Sequence, residues 1–440
     1  MNKKERFDLA HWAVDRALKA GADQAAVGLN FARRIEVEFR DKKLDKLQEA
    51  TENGLYLQVY VQQRYSGQST NDLKRESLER FIQDAVASTK YLTKDEFRSL
   101  PDPKYYPSPS QRQLKLLDES YPKIETSERV KMASAIEAAA MAQSDQIIST
   151  TAGYNDSHSE EVRVHSNGFE GAEESTVFSA GAEVTVKDGE SGRPEDWFYA
   201  TTRFRNELLD PETLGKNAAQ RALRKIGQKK LESGRYVMVV ENRAGRQLLR
   251  AMGEPLSGRA LQQKSSFLEG MIGKKIASEK LTVIDDPFVE KGLGSRFFDG
   301  EGLAAQRRVF IERGVLRHYS VDDYYGKKLG MEPTSGDPSN ILLEYGTRSL
   351  EEMIAGVKRG ILVTDFIGGN SNSTTGDFSF GIVGLLIEDG KTVRPVNEMN
   401  ISGNLKELWN QLTDVGNDPY PYSSVRMPSV RFEEVDFSGL

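Results

Sequence analysis

The chain has 440 residues, a formal net charge of −6 at pH 7 and a hydrophobic fraction of 38%. This length and composition exclude a single small module and a disordered chain, and they predict two or three domains with substantial cores. The negative net charge provides no overall basic field for phosphate backbones, so we expect no nucleic-acid partner.

The first part of the chain is typical of a compact helix–sheet–helix unit. Apolar residues recur at helical spacing from Glu5 to Ala20, and Gly21 stands where a C-terminal capping glycine belongs. A second helix is predicted over residues 73–91. Alternating apolar and polar residues predict antiparallel strands at 25–30, 34–40, 54–62 and 64–69. We therefore expect a first α+β unit at residues 1–99.

A proline-rich segment follows this unit. Residues 100–110 contain four prolines, a composition that favours an extended linker. Helices are predicted on the far side at 127–142 and 211–226. Between them, strands are predicted at 146–152, 160–165, 175–187 and 197–203. These elements predict a second α+β unit at residues 111–230, with an antiparallel sheet of its own.

The pattern changes again after residue 230. The apolar run Tyr236–Val240 predicts a buried strand, and short strands with glycine-rich turns follow it. Helices are predicted near residues 322–329, 349–356 and 403–413. We expect a third unit at 231–440, mostly antiparallel and β-rich with some helices. Long parallel strands alternating with helices are missing, so the α+β fold class is favoured over a doubly wound sheet.

The residues that bind transition metals are scarce. The chain has no cysteine, and its four histidines are His11, His158, His165 and His318. No two of them have the one-turn helical spacing of a metallopeptidase site. His158 and His165 lie seven residues apart in a strand-like segment, which predicts that their rings lie on opposite faces of a sheet. We therefore expect no transition metal and no other cofactor in this chain.

A carboxylate site for Mg²⁺ or Ca²⁺ is left open by one acidic region. Its members are Asp285, Asp286, Asp299, Glu301, Asp322 and Asp323. No calcium-loop spacing is present among them. The chain also has no run of about twenty apolar residues and no apolar segment behind its N-terminal lysines, so neither a membrane partner nor a signal peptide is expected. Together with the lack of cysteine, this predicts a cytoplasmic protein.

Two other segments are similar to catalytic motifs. Gly390-Lys391-Thr392 is similar to the end of a phosphate-binding loop, but residue 385, where that loop needs a glycine, is Leu. The segment Leu385–Gly390 predicts a strand entering a hairpin turn instead. No G-x-S-x-G motif is present either, so serine hydrolase chemistry is not expected. We assign no catalytic residue to the chain.

Residues 367–381 are unusually rich in glycine, serine and asparagine. This composition predicts a long flexible loop that leads into an apolar strand. One interpretation is a turn-rich connection whose glycines permit positive φ angles. The other is the wall of a cleft that another backbone approaches closely. The sequence alone favours neither.

The C-terminal half resembles the TldD/PmbA family, described first as modulators of DNA gyrase and then as metallopeptidase subunits. Four blocks carry the resemblance, in the family's order: Lys264–Ile276, Phe298–Gly302 with Arg307–Leu316, Gly376–Ser379, and Ile401–Trp409 with Val415–Asp418. The N-terminal half agrees more diffusely, for example at Ala50–Leu55.

In this family the D-type subunit (TldD) carries an HExxxH helix and, nearer its C-terminus, a cysteine. The E-type subunit (TldE, or PmbA) lacks both. The corresponding window here, residues 240–259, contains no histidine, and no cysteine follows Gly416. The resemblance therefore implies a non-catalytic E-type subunit, with zinc in a D-type partner rather than in this chain.

The family's substrates are unfolded peptides that enter a chamber between the subunits. The resemblance implies that this chain forms part of the chamber wall and pairs with a TldD-like subunit or with itself. Pairing with an exposed strand edge would accept many peptide sequences. The wall positions that we expect are Gly368, Gly369, Thr375, Gly376, Asp377, Phe378, Ser379, Asp299 and Glu301. Equally, these residues could be turns that hold the fold. The alternative function is a homodimeric, non-enzymatic binding or regulatory protein related to toxin–antitoxin systems or gyrase.

Overall fold

A computed structural model describes residues 1–108, 110 and 112–440. Pro109, in the predicted linker, and Gln111, at the start of the predicted second unit, lie outside the described residues. The fold is α+β, as predicted, with antiparallel pairing predominant in its three sheets. No helix among the described residues is long and apolar enough to cross a membrane.

One six-stranded antiparallel sheet organises the first half of the chain, in the order β3-β2-β1-β4-β5-β6. Its strands are β1 (Gln24–Arg40), β2 (Lys43–Val61), β3 (Arg64–Thr70), β4 (Ile147–His165), β5 (Glu170–Val186) and β6 (Glu195–Thr202). Because β1 pairs with β4 from Ala26↔His165 to Arg40↔Thr151, strands from both predicted units share this sheet. The prediction of a separate second sheet is wrong, since alternation identifies strands but not their partners.

Four helices cover one face of this sheet in two pairs. They are α1 (Lys3–Lys19), α2 (Arg75–Thr89), α3 (Thr126–Met141) and α4 (Pro211–Leu223). The first pair packs on Val27, Leu29 and their neighbours, and the second on Ile35, Val37 and theirs. Helix α1 begins with a reciprocal capping box between Asn2 and Glu5, and Gly21 follows its end at φ 102°. The opening helix is therefore confirmed.

A second sheet organises the C-terminal half, in the order β14-β13-β12-β7-β17-β15. Its strands are β7 (Gly234–Val240), β12 (Arg359–Ser371), β13 (Asp377–Glu388), β14 (Lys391–Asn404), β15 (Leu412–Val415) and β17 (Val430–Ser438). Strand β14 also pairs with β17, which closes five of the strands into a ring. The turn between β13 and β14 holds Asp389 and Gly390 at positive φ, so the predicted hairpin is confirmed.

A third sheet and five short helices complete the C-terminal half. The sheet runs β10-β9-β8-β11-β16 and contains β8 (Val283–Asp285), β9 (Arg308–Glu312), β10 (Val315–Leu316), β11 (Ile341–Leu343) and β16 (Val425–Arg426). The helices are α5 (Asn242–Gly253), α6 (Gly258–Gln262), α7 (Asp323–Leu329), α8 (Leu350–Ala355) and α9 (Leu405–Asn410). Helix α9 is shorter than predicted because the residues after it pair with β17 as β15. Its Trp409 is fully buried against Phe432.

Candidate functional site

Strands β12 and β13 project beyond the ring as a hairpin with one open side. Strand β12 pairs with β7 only over Gly360–Val363, whereas its pairing with β13 continues to Ser371↔Phe378. On the side away from β13, no strand of the described chain pairs with residues 365–371, and the last five of these are exposed. We call this open side the β12 edge. Unpaired backbone groups of this kind can accept an extended peptide as a further strand.

The predicted site residues Gly368 and Gly369 form a bulge in β12. The register passes from Ile367↔Gly381 to Asn370↔Ser379, and the two glycines have φ angles of 63° and 94°. A Cβ on Gly369 would lie 2.1 Å from the carbonyl oxygen of Ser379, whereas a Cβ on Gly368 would meet nothing within 4 Å. The positive φ angles therefore explain why both positions are glycine. At Gly369 the close approach of the Ser379 backbone is a second reason.

The turn of the hairpin is short and held by side chains. The prediction of a long flexible loop is wrong, because only residues 372–376 lie between the two strands. The side-chain oxygen of Asn372 accepts from the Thr374 backbone N–H (2.9 Å), which closes the turn locally. The Thr375 hydroxyl donates to Asp377 (2.7 Å), as does the Asn404 amide (3.1 Å). These bonds hold the pKa of the Asp377 carboxyl below its usual value.

A cleft of about 590 Å³ lies on this hairpin. Its lining comes from residues 370–373, at the end of β12 and the start of the turn, and from 377–379 at the start of β13. Of the predicted wall positions, Asp377, Phe378 and Ser379 line this cleft directly. Gly368 and Gly369 shape its strand, and Thr375 and Gly376 form its turn. Seven of the nine predicted positions therefore lie together in the β12–β13 hairpin.

Asp299 and Glu301 lie elsewhere, at the junction between the first sheet and the C-terminal half. The Asp299 carboxylate accepts from the backbone N–H groups of Glu301 (2.9 Å) and Leu303 (3.0 Å) and so closes a turn. Arg163 of β4 donates to the backbone oxygens of Asp299 and Gly300 in the same turn. These contacts hold the two halves of the molecule together. They do not reach the β12–β13 hairpin.

The side chain of Glu301 is partly buried in this junction among other acids. Burial, together with the nearby carboxylates of Asp322, Asp299 and Asp323, raises the pKa of Glu301 from 4.5 to about 8. Its carboxyl group accepts from the Asp323 backbone N–H (2.8 Å), a bond that a glutamine can also accept. The native state therefore retains a proton on Glu301 at pH values at which the unfolded chain has lost it.

This proton gives an expected dependence of stability on pH. Because the folded pKa of Glu301 is raised, the free energy of unfolding should fall as the pH rises from about 4.5 to about 8. Glu301→Gln should remove this part of the slope and be more stable than the wild type at pH 8 by at least about 1 kcal/mol. Urea unfolding at several pH values measures the effect, with the exposed Glu344→Gln as control. Parallel pH profiles for Glu301→Gln and wild type would contradict it.

Asp299, Glu301, Asp322 and Asp323 lie near one another, but in the described part of the chain their ligand atoms do not approach closely enough to hold one ion. Asp285 is bonded to Ser339, and Asp322 caps α7, so each is already engaged in the fold. Among the described residues, ligand atoms approach one another closely at His158, Glu160 and Glu174. There Glu160 is ion-paired with Arg6, and His158 lies 2.8 Å from Glu174. Continuous pairing of β4 with β1 puts His158 and His165 on opposite faces, as predicted.

Helix α5, which the sequence analysis missed, follows β7 and lies beside the β12 edge. Its apolar positions Ala244, Leu248 and Met252 recur every four residues, a signal that could have identified it. Its first turn carries the buried Arg243, whose guanidinium lies 3.0 Å from Asp196 and donates to the Trp197 backbone oxygen (2.6 Å). The helix offers no imidazole, thiolate or carboxylate. Its residues therefore do not fit a zinc ion.

Glu241, which precedes α5, belongs to a network of charges with α4. Arg221 lies 2.8 Å and Arg224 3.3 Å from its carboxylate. Burial would raise the pKa of Glu241, but these two arginines outweigh burial and hold the pKa below its usual value. Glu241 is thus a paired anion. Sequence reasoning could not identify this network, because its members come from distant parts of the chain.

Comparison with known proteins matches three family models in order along the chain. The models describe PmbA/TldA metallopeptidase domain 1, the central domain and the C-terminal domain, and they match residues 25–89, 119–226 and 233–439. Metalloprotease PmbA of Escherichia coli O157:H7 is 29% identical over 97% of this chain and 95% of its own length.

Solved structures are also similar over the whole length. A candidate modulator of DNA gyrase from Bacteroides thetaiotaomicron has 45% sequence identity and a TM-score of 0.97, with all of both chains covered. TldE from Thermococcus kodakarensis has 22% identity and a TM-score of 0.87, covering 98% of this chain and 100% of its own. The similarity to TldE, at this level of identity, shows only a shared fold.

Proposed function

Because the chain belongs to the PmbA/TldD metallopeptidase family, we propose that it is the non-catalytic, E-type subunit of a cytoplasmic peptidase complex. The observation that carries this proposal is α5. In the place where the D-type subunits carry their histidines, this helix has Arg243, Arg246 and Arg250. A TldD-like partner would then hold the zinc and perform the hydrolysis.

The role that remains for this chain is to shape the chamber and bind unfolded peptides. The β12 edge supports this role, since backbone pairing with a strand edge depends little on the side chains of the peptide. The adjoining cleft at residues 370–373 and 377–379 leaves room for the side chains of such a peptide. Gly368, Gly369 and the turn around Thr375 would then maintain the shape of the chamber wall.

Mixing the purified chain with a TldD-like subunit from the same organism tests this proposal. We expect neither protein to cleave an unfolded, fluorescently labelled casein alone, and the mixture to cleave it and to elute as one complex. Cleavage by this chain alone, abolished by a chelator, would overturn the proposal. Tight self-association without any complex with the TldD-like subunit would favour the homodimeric regulatory protein instead.

A further inference from the structure

A second cavity, of about 490 Å³, lies where α4, the start of α5 and the loop at residues 420–422 meet. Three arginines contribute to its lining, namely Arg221, Arg224 and Arg243, together with Tyr420 and Tyr422. We call this the arginine cavity. Its side chains come from both halves of the chain, so it is a product of the tertiary fold and not of a local motif.

The arginine cavity has an excess of positive charge. Arg221, Lys225 and Arg243 surround the buried Asp196, and Arg221 and Arg224 share Glu241. With Asp365, which lies 3.5 Å from Arg243, this network has three carboxylates and four cations, and of the four charged residues that line the cavity itself only Glu241 is negative. An anion that enters the cavity would balance this excess charge.

Arg224 is the cation with the weakest bonds. Its terminal nitrogens lie 3.3 to 3.5 Å from Glu241, and its buried Nε has no hydrogen-bond partner among the residues that the structure describes. Burial lowers the pKa of this guanidinium, which reflects the cost of holding its charge away from water. Since a carboxylate in the cavity could accept from these donors, Arg224 is the side chain with most to gain from a bound anion.

The arginine cavity adjoins the start of the β12 edge. Arg221 donates to the Thr364 backbone oxygen (3.2 Å), and Arg243 lies beside Asp365. From there β12 runs outward to Ser371. A peptide that pairs antiparallel with β12 would run inward and reach the cavity with its C-terminus. A parallel peptide would bring an N-terminal ammonium group to the same arginines, which is unfavourable.

The chain itself blocks a peptide from continuing past this point. The Glu241 backbone N–H donates to the Val363 oxygen (2.9 Å), and α5 begins at the next residue. The inner end of the β12 edge is therefore suited to a chain terminus and not to the middle of a chain.

We propose that the arginine cavity binds the C-terminal carboxylate of a peptide that pairs antiparallel with the β12 edge. The inference rests on the proposed peptide-binding function, and it adds the class of ligand: unfolded peptides with a free C-terminus. Arg224 is the residue that determines specificity for a free carboxylate, and Arg221 and Arg243 maintain the shape of the cavity.

Two labelled versions of one unstructured peptide test this inference, one with a free C-terminal carboxylate and one with a C-terminal amide. Fluorescence anisotropy gives the Kd of each for the full chain. We expect the carboxylate peptide to bind about tenfold more tightly, as loss of a charge-assisted hydrogen bond predicts. Arg224→Gln should abolish the difference. Lys216→Gln, on the exposed side of the same helix, should retain it.

Equal binding of the two peptides to the wild type, or no binding of either, would overturn the inference. Retention of the tenfold preference in Arg224→Gln would also overturn it. A thermal melt of each variant shows that the chain is folded. The proposed function is tested separately, by peptide cleavage in the mixture with the TldD-like subunit. If that mixture cleaves both peptides equally well, the proposed function stands and only the carboxylate site is ruled out.

Discussion

Replacing Asp196 with alanine is expected to lower the free energy of unfolding by about 3–5 kcal/mol, because it leaves buried cations without their counter-charge. The Asp196 side chain is fully buried and lies 3.0 Å from Arg243, 3.1 Å from Lys225 and 3.5 Å from Arg221. These cations belong to α4, the turn after it and α5. Asp196 therefore joins the first sheet to the helix beside the β12 edge.

The pH dependence of this effect has a definite sign. Burial would raise the pKa of Asp196, but the neighbouring Arg221, Lys225 and Arg243 outweigh burial and hold the pKa well below 3.8. The stability that Asp196 contributes is thus present above about pH 4 and is lost as the pH falls further. Urea unfolding at pH 7 measures the main effect, and the exposed neighbour Glu195→Ala should change stability by less than about 0.5 kcal/mol. A loss below about 1 kcal/mol for Asp196→Ala would show that the cations find other partners.

The second large effect is expected at the β12 edge, in the mixture with a TldD-like subunit. Asn372 donates its backbone N–H to the Asp377 oxygen (2.8 Å), and alternation along the strand then points the N–H of the preceding Ser371 away from β13. Ser371→Pro therefore removes a donor from the open edge without breaking a bond to β13. We expect kcat/KM for an unfolded peptide to fall by about ten- to a hundredfold.

Ser371→Ala is the matched control, since it removes the hydroxyl and retains the backbone N–H. We expect its kcat/KM to remain within about twofold of the wild type. If Ser371→Pro cleaves as well as the wild type while the complex remains intact, peptides do not bind along this edge. In that case the chain would contribute to the complex through another surface.

The local signals in the sequence are sufficient where the structure depends on neighbouring residues. The capping box of Asn2 and Glu5 and the glycine after α1 determine the opening helix. The positive φ angles of Asp389 and Gly390 likewise determine the hairpin between β13 and β14. Each of these features is set within a few residues of the chain, so each could be predicted without a partner.

The sheet of the first half could not be predicted because its pairing is non-local. The sequence predicts two segments where the structure has the single strand β1, since the apolar alternation fails at Phe31–Arg33. That stretch lies between the parts of the sheet covered by the two helix pairs, where Arg33 is bonded to Glu49 and Arg6 to Glu160. The strand continues through this stretch although the alternation fails, because ion pairs and not an apolar core line the surface there.

The candidate site could be predicted only in part, for a related reason. The composition of residues 367–381 drew attention to this segment and its glycines, although it predicted a long loop and not a hairpin. It could not separate them from Asp299 and Glu301, which lie at the junction of the two halves. The buried Arg243 resembles a surface residue in sequence, and only the tertiary fold shows that Asp196 and Trp197 enclose it.

The central claim is tested most directly by measuring zinc content and peptide cleavage on the same preparation. Purified alone, the chain is predicted to carry no stoichiometric zinc and to cleave no unfolded peptide. Its complex with a TldD-like subunit is predicted to contain one zinc ion per pair of chains and to cleave. Stoichiometric zinc in the isolated chain, together with cleavage that a chelator abolishes, would contradict the assignment of this chain as the non-catalytic subunit.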